Sequence, residues 1–333
     1  MKNKLFSLGK IIISCGLIFI LFSIIKTNNL TEAISKTELI FVLLGIAMYG
    51  LAQPILAHRW LRILNNSEIK ISLFEAMRLN FIGIFTSNFL PGIYSGDIVK
   101  PLYLLNRYPD HKIVLYASVL FERVCGVITI IIMSLISSCW IAFVYNRWYF
   151  LILSLVLFVA IGVGFSILNW VSKPRRIIPG LIGKLLNIGN QFAGKILFFA
   201  KNKRLTLEIV LWSILAQSFM IFMYWLFLIA VGVKINPLAL SIAASLAWLV
   251  SMIPVTLNGL GLREGSMVYF LNYFEVPSHI ASVAIILGIA PTIIFSIFGA
   301  FFSISKIEVL KLNKSDKPKR KRSMLNKGEK TKY

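Results

Sequence analysis

Long apolar runs separated by short polar clusters set the rhythm of this chain. Six of them, at about 11–26, 39–58, 113–144, 150–170, 206–232 and 280–305, approach or exceed the roughly 20 helical residues that cross a bilayer. Two further apolar regions are broken. One, 73–90, is interrupted by Pro91 to Asp97 and resumes at 98–106. The other, 238–253, is interrupted by Pro254 to Gly261 and resumes at 262–274. At 1.5 Å per residue the resumed pieces reach about 14 and 20 Å. Neither spans a hydrocarbon core of about 30 Å. The pattern therefore predicts two re-entrant helical hairpins, 73–106 and 238–274, each entering and leaving on one side. No strand-like alternation of the kind a membrane barrel needs is present. The expected fold is an all-α polytopic membrane protein with about six spanning helices and two re-entrant hairpins.

Composition agrees. Of 333 residues 58% are hydrophobic and 14% charged, against about 25% charged in soluble domains. Lys2, Lys4 and Lys10 precede the first run as in a signal peptide, but no small-residue cleavage site follows, so an uncleaved first helix is expected. Cys15, Cys125 and Cys139 all lie in apolar runs, and His58, His111 and His279 near helix ends. Neither set has metal-ligand spacing, and no cofactor is implied.

The net charge of +22 is distributed unevenly. With the N-terminus in the cytoplasm, 28 of the 35 Lys and Arg fall in cytoplasmic segments and four outside. This follows the positive-inside rule, places both termini in the cytoplasm and accounts for the charge without nucleic acid. Basic segments at that face attract anionic lipid. The segment 171–204 carries Leu181, Leu185, Ile188, Phe192, Ile196 and Phe199 at helical spacing, as in an amphipathic helix on the inner surface. Tyr145, Trp148 and Tyr149 fit an outer aromatic belt. The tail, 306–333, is too polar to pack and is expected to be disordered.

Three bases and three acids remain within the membrane: Lys100, Arg123, Arg263, Asp97, Glu122 and Glu264. Six unpaired charges would cost on the order of 15–20 kcal/mol on insertion scales, more than the roughly 5–15 kcal/mol net stability of a typical protein. They must pair or face water, and such residues mark functional sites by default. The two hairpins also match. SNFLPGIYSGDIVKPLYLL and WLVSMIPVTLNGLGLREGSMVYFL each hold an apolar half, a Pro, a Gly-bearing turn, opposite charges and a second apolar half. Each follows two spanning helices and precedes one. Two three-crossing units, 1–144 and 145–305, must then be inverted, and interrupted segments at matching positions of inverted halves point to a transporter site.

Pro91 and Pro254 break the helices, and the turn glycines permit tight backbone. Each second half starts a helix near the tip, where N–H groups and the dipole favour an anion such as phosphate. Lys100 and Arg263 add full charges, Asp97 and Glu264 can hold the cations, and Glu122–Arg123 can reach the first tip. Neighbouring residues do not face each other on a helix, so Glu122 and Arg123 should each pair with another element.

At these residues the sequence resembles the lysylphosphatidylglycerol synthase transmembrane-region family, the flippase-like part of the bacterial multiple peptide resistance factor. The shared pattern comprises Asn88, Pro91, Gly96, Asp97 and Lys100, then Glu122 and Arg123, then Pro254, Gly259, Gly261, Arg263 and Glu264, with Asn258 in the same turn. It covers about residues 10–305. Lys100 stands where Arg is usual, and Gly126 where an Asp often follows the Glu-Arg pair. The resemblance implies translocation of an aminoacylated or glycosylated phosphate-bearing lipid between leaflets of a bacterial inner membrane, without the family's separate aminoacyl-transfer domain. Asn88, Gly96, Asp97, Lys100, Glu122, Arg123, Asn258, Gly259, Gly261, Arg263 and Glu264 are the expected substrate-binding residues. Two other functions remain open: an intramembrane transferase acting on a lipid-linked sugar, and a non-catalytic scaffold, with oligomers possible.

Overall fold

A computed structural model describes residues 37–89, 95–171, 181–253, 255–256 and 259–303. Regular structure among the described residues is entirely helical. In chain order the helices are α1 (Leu39–Asn65), α2 (Leu73–Phe89), α3 (Ser95–Leu105), α4 (Lys112–Tyr145), α5 (Trp148–Val171), α6 (Leu181–Lys201), α7 (Lys203–Ala230), α8 (Pro237–Ser251), α9 (Leu262–Asn272) and α10 (Ser278–Leu287). A single 3₁₀ turn, Pro109–His111, leads into α4. After a turn at Gly288 the apolar helix of α10 continues, so the full run is Ser278–Ser303.

Five of these, α1, α4, α5, α7 and α10, are long and apolar enough to span a membrane, and the chain is a polytopic helical membrane protein. They correspond to five of the six expected spans. The expected first span at 11–26, the breaks Pro91 and Pro254, the turn residue Asn258 and the tail 306–333 lie outside the described residues.

The broken regions fold as short paired helices. With 17 and 11 residues, α2 and α3 extend about 26 and 16 Å. With 15 and 11, α8 and α9 extend about 22 and 16 Å. All are shorter than the roughly 30 Å core. Within the first pair the backbones touch: a Cβ on Gly96 would fall 2.2 Å from the carbonyl oxygen of Gly83. Within the second, α8 presents Ala243, Ala244 and Ala247 to a core that includes Phe227, Met267 and Leu271. Small residues let helices approach closely where lipid offers no hydrophobic drive. Asn236 caps α8 by accepting from Leu238 N at 2.8 Å, which fixes where that helix begins.

One boundary differs from expectation. The first described span was expected to end at His58, yet α1 continues to Asn65. No helix breaker intervenes, and the added turns are packed: Trp60, Ile63 and Leu64 are buried. Pro54 removes one backbone donor inside α1. Beside it, Gln53 Nε2 donates to Tyr49 O at 3.1 Å, and Asn80 Nδ2 of α2 donates to Gln53 Oε1 at 3.0 Å, tying the first hairpin to α1.

The amphipathic α6 lies against α4. Ile196 and Phe199 of its apolar stripe are buried, with Phe199 stacked 5.4 Å from Phe121, whereas Ile188 is exposed. The span α5 is attached mainly to α4 and leaves nearly all of its apolar surface outward. Ser134 and Ser154 join the two at 2.7 Å. Such interhelical bonds couple by about 0.6 kcal/mol on average in membrane proteins. A Ser134→Ala, Ser154→Ala double-mutant cycle read by unfolding in detergent should return a value of that size.

Candidate functional site

A cavity of about 280 Å³ opens beside the second helix pair, walled by α1, α4, α7, α8, α9 and the Ser278–Ser303 run. Its depth follows from the helix positions. Gly126 stands near the middle of α4, Gln217 near the middle of α7 and Gly288 near the middle of the Ser278–Ser303 run. The cavity therefore sits about halfway through the bundle. Three arginines from three helices reach it: Arg59 of α1, Arg123 of α4 and Arg263 of α9.

Each arginine is matched to a carboxylate. Arg59 donates from Nε and Nη2 to Glu122 Oε1 at 3.2 and 2.7 Å, and from Nη1 to Ser213 Oγ at 2.8 Å. Arg123 donates from Nε to Asp97 Oδ2 at 2.6 Å, which bolts α4 to the start of α3. Arg263 donates from Nε and Nη2 to Glu264 Oε1 at 2.8 and 2.5 Å. The other oxygen of Glu264 accepts from the backbone N–H of Gly261 at 2.8 Å, closing the first turn of α9 on itself. That closure needs the positive φ values of Gly259 and Gly261, 76° and 79°, which only glycine adopts readily. Glu122 and Arg123 thus pair with different elements, as their adjacency on a helix requires. Arg263 and Glu264, also adjacent, pair with each other at the start of their helix.

Lys100 is buried, its ammonium 5.7 Å from the centroid of the Trp60 ring and its stem over Gly83. It stands behind the cavity wall rather than in it. Asn88 donates to the carbonyl oxygen of Thr292 at 3.3 Å, joining the end of α2 to a residue that lines the cavity. Of the residues expected at the site, Glu122, Arg123 and Arg263 line the cavity directly. Asp97 and Glu264 are one bond away, Gly96, Gly259 and Gly261 shape the hairpins, and Asn88 and Lys100 form a supporting layer.

The sequence reading missed Arg59. In HRWLR it sits among charges at an expected helix end, where it reads as one more cytoplasmic base. The longer α1 carries it into the bundle, where it is 9% exposed. Gln217 and the aromatic wall of Tyr49, Tyr224 and Trp248 gave no sequence signal distinct from ordinary core residues. With Arg59 included, four bases (with Arg123, Lys100 and Arg263) stand against three acids (Asp97, Glu122 and Glu264), an excess of one positive charge, with Arg123 half-exposed and the other cations largely buried. Arginine adds planar, multi-donor geometry suited to carboxylate or phosphate oxygens.

Fold and cavity together define a class: a polytopic helical membrane protein with two pairs of short helices and, at half depth, a chamber reached by three arginines. The sequence matches the lysylphosphatidylglycerol synthase TM region family over residues 7–299, and the chain belongs to that family. It is also similar to a UPF0104 membrane protein of the archaeon Pyrococcus horikoshii, 25% identical over 278 residues, covering 76% of this chain and 83% of that one. A UPF0104 membrane protein of Methanothermobacter thermautotrophicus is 22% identical over 310 residues, covering 85% and 90%.

Proposed function

We propose that this protein moves a phosphate-bearing lipid between leaflets, its headgroup crossing through the cavity while the acyl or prenyl chains stay in the bilayer. The observation that carries this reading is the convergence of Arg59, Arg123 and Arg263 from three helices on one cavity at half depth, each already held by a carboxylate. Carboxylate pairing keeps the cations affordable in a low-dielectric interior. A phosphate entering the cavity competes with a carboxylate for an arginine, and its negative charge offsets the excess of the four bases over the three acids. The chain would reside in the membrane that bounds the cytoplasm, with both termini inside, and its basic inner face would gather anionic lipid beside the entrance.

The test is a liposome assay. Purified full-length protein is reconstituted with a trace of fluorescent phosphatidylglycerol, and exposure of the label at each leaflet is followed by chemical quenching. Wild type is expected to redistribute label at least tenfold faster than protein-free vesicles, and the double variant Arg123→Ala, Arg263→Ala to fall to the protein-free rate. Native mass spectrometry should show a phosphate lipid retained by wild type and lost from that variant. Equal lipid retention and equal rates in both proteins would overturn the reading.

A further inference from the structure

One corner of the cavity offers a chemistry that the arginines do not. Glu122 and Gly126 stand four residues apart on α4, on one face of the helix, and both line the cavity. Among the described residues, nothing beyond the local backbone of α4 lies within 4 Å of the point where a Cβ on Gly126 would sit. Across from it, Gln217 of α7 donates from Nε2 to the carbonyl oxygen of Gly126 at 3.1 Å. That bond orients the amide, because turning it over would set two acceptor oxygens against each other. Gln217 Oε1 is thereby left at the other end of the amide, and it is buried with no hydrogen-bond donor among the described residues. Buried acceptors without partners are uncommon in native proteins, and each requires an explanation.

The arginines cannot supply the complementary function, since a guanidinium only donates. The neighbouring carboxylate is not a spare anion either, because Glu122 is matched to Arg59. The corner thus combines an unused acceptor with open space and without net negative charge. An ammonium entering here would meet three guanidinium groups in the same cavity and a single lining carboxylate already engaged. A hydroxyl would carry no such electrostatic cost and would supply the donor that Gln217 Oε1 lacks.

We infer that Gln217 and the gap at Gly126 form a donor-reading subsite, which selects phosphodiester headgroups ending in a neutral hydroxyl, of the glycerol or sugar kind, over those ending in an ammonium. This rests on the reading of the cavity as a headgroup site. The phosphate lies with the arginines, the polyol extends into the gap, and a hydroxyl donates to Gln217 Oε1.

The test uses full-length protein in detergent, offered phosphatidylglycerol, phosphatidylethanolamine and phosphatidylmethanol in equal amounts and read by native mass spectrometry. Phosphatidylmethanol keeps the phosphodiester and lacks the hydroxyl. Wild type is expected to retain phosphatidylglycerol at least fivefold over either competitor. In Gln217→Leu the ratio of phosphatidylglycerol to phosphatidylmethanol should fall to about one. Gly126→Leu, which fills the gap, should do the same. Gln217→Glu should turn the preference toward phosphatidylethanolamine, a gain that a misfolded protein could not show. Wild type holding the glycerol and methanol lipids equally, or preferring the ethanolamine lipid, overturns the subsite. So does a Gln217→Leu variant that loses all three lipids in proportion. The headgroup reading itself fails by a different sign: binding of phosphatidylmethanol that survives Arg123→Ala with Arg263→Ala.

Discussion

Replacing Glu122 with alanine is expected to destabilise the protein by about 3–5 kcal/mol, the cost typical of stranding one partner of a buried ion pair. Glu122 is 5% exposed and Arg59 9%. Both hydrogen bonds that Arg59 directs at Glu122 converge on one oxygen, and the remaining described partner is the hydroxyl of Ser213. Without the carboxylate a full positive charge remains in a low-dielectric interior with a single neutral acceptor. Denaturant titration in mixed micelles reads this directly. Arg59→Leu with Glu122→Ala should recover most of the loss, because an apolar pair often replaces a buried ion pair at little cost. The double variant then separates structure from function. If it is stable yet no longer moves lipid, the pair belongs to the transport machinery; if stable and active, the pair is structural glue. A single variant that loses under 1 kcal/mol would mean that water already solvates Arg59, and the low-dielectric argument would fail.

Much of the architecture was legible because lipid imposes coarse, strong rules. A run must be long and apolar to span, so α4, α5, α7 and α10 could be placed within a few residues. A charge must pair or face water, so Asp97, Lys100, Glu122, Arg123, Arg263 and Glu264 could be singled out before any contact was known. Partner identity was less legible. Period and spacing say which face of α4 Glu122 occupies, not that Arg59, 63 positions away in sequence, lies opposite. Arg59 was hidden by its neighbours: His58, Arg62 and Trp60 make the stretch look interfacial, and only the packing of α1 against α4 and α7 shows otherwise. Gln217 was invisible for a different reason. A single amide in an apolar helix is ordinary, and its meaning comes from a bond to the backbone of another helix. The glycines divide likewise. Gly259 and Gly261 announce a turn by their spacing, whereas the reason for Gly96 is the close approach of the Gly83 backbone on α2, which sequence does not display.

Gly96→Ala is expected to abolish transport although it adds one methyl group outside the cavity. The new Cβ would stand 2.2 Å from Gly83 O, 2.8 Å from Gly83 C and 2.3 Å from Ser87 Oγ. Two of these atoms belong to the backbone of α2, so no rotamer change can clear them. The Ser87 hydroxyl, which accepts from Gly96 N at 3.2 Å, would be displaced as well. The helix α3 must therefore move off α2. Asp97 is the next residue along that helix, and its carboxylate holds Arg123 at 2.6 Å. Shifting α3 stretches this bond, frees Arg123 from its set position and alters the cavity wall without touching it. Overpacking of this kind costs about 1–3 kcal/mol, little enough for the protein to remain folded. Gly164→Ala is the control: among the described residues nothing beyond the local helix backbone lies within 4 Å of its added methyl, and an interior Gly→Ala change stabilises a helix by up to about 1 kcal/mol. The liposome rate should fall at least tenfold for Gly96→Ala and stay at the wild-type level for Gly164→Ala. Full transport by Gly96→Ala would mean that α2 and α3 separate without consequence for Arg123, and the Asp97–Arg123 bond could not then be what positions the arginine.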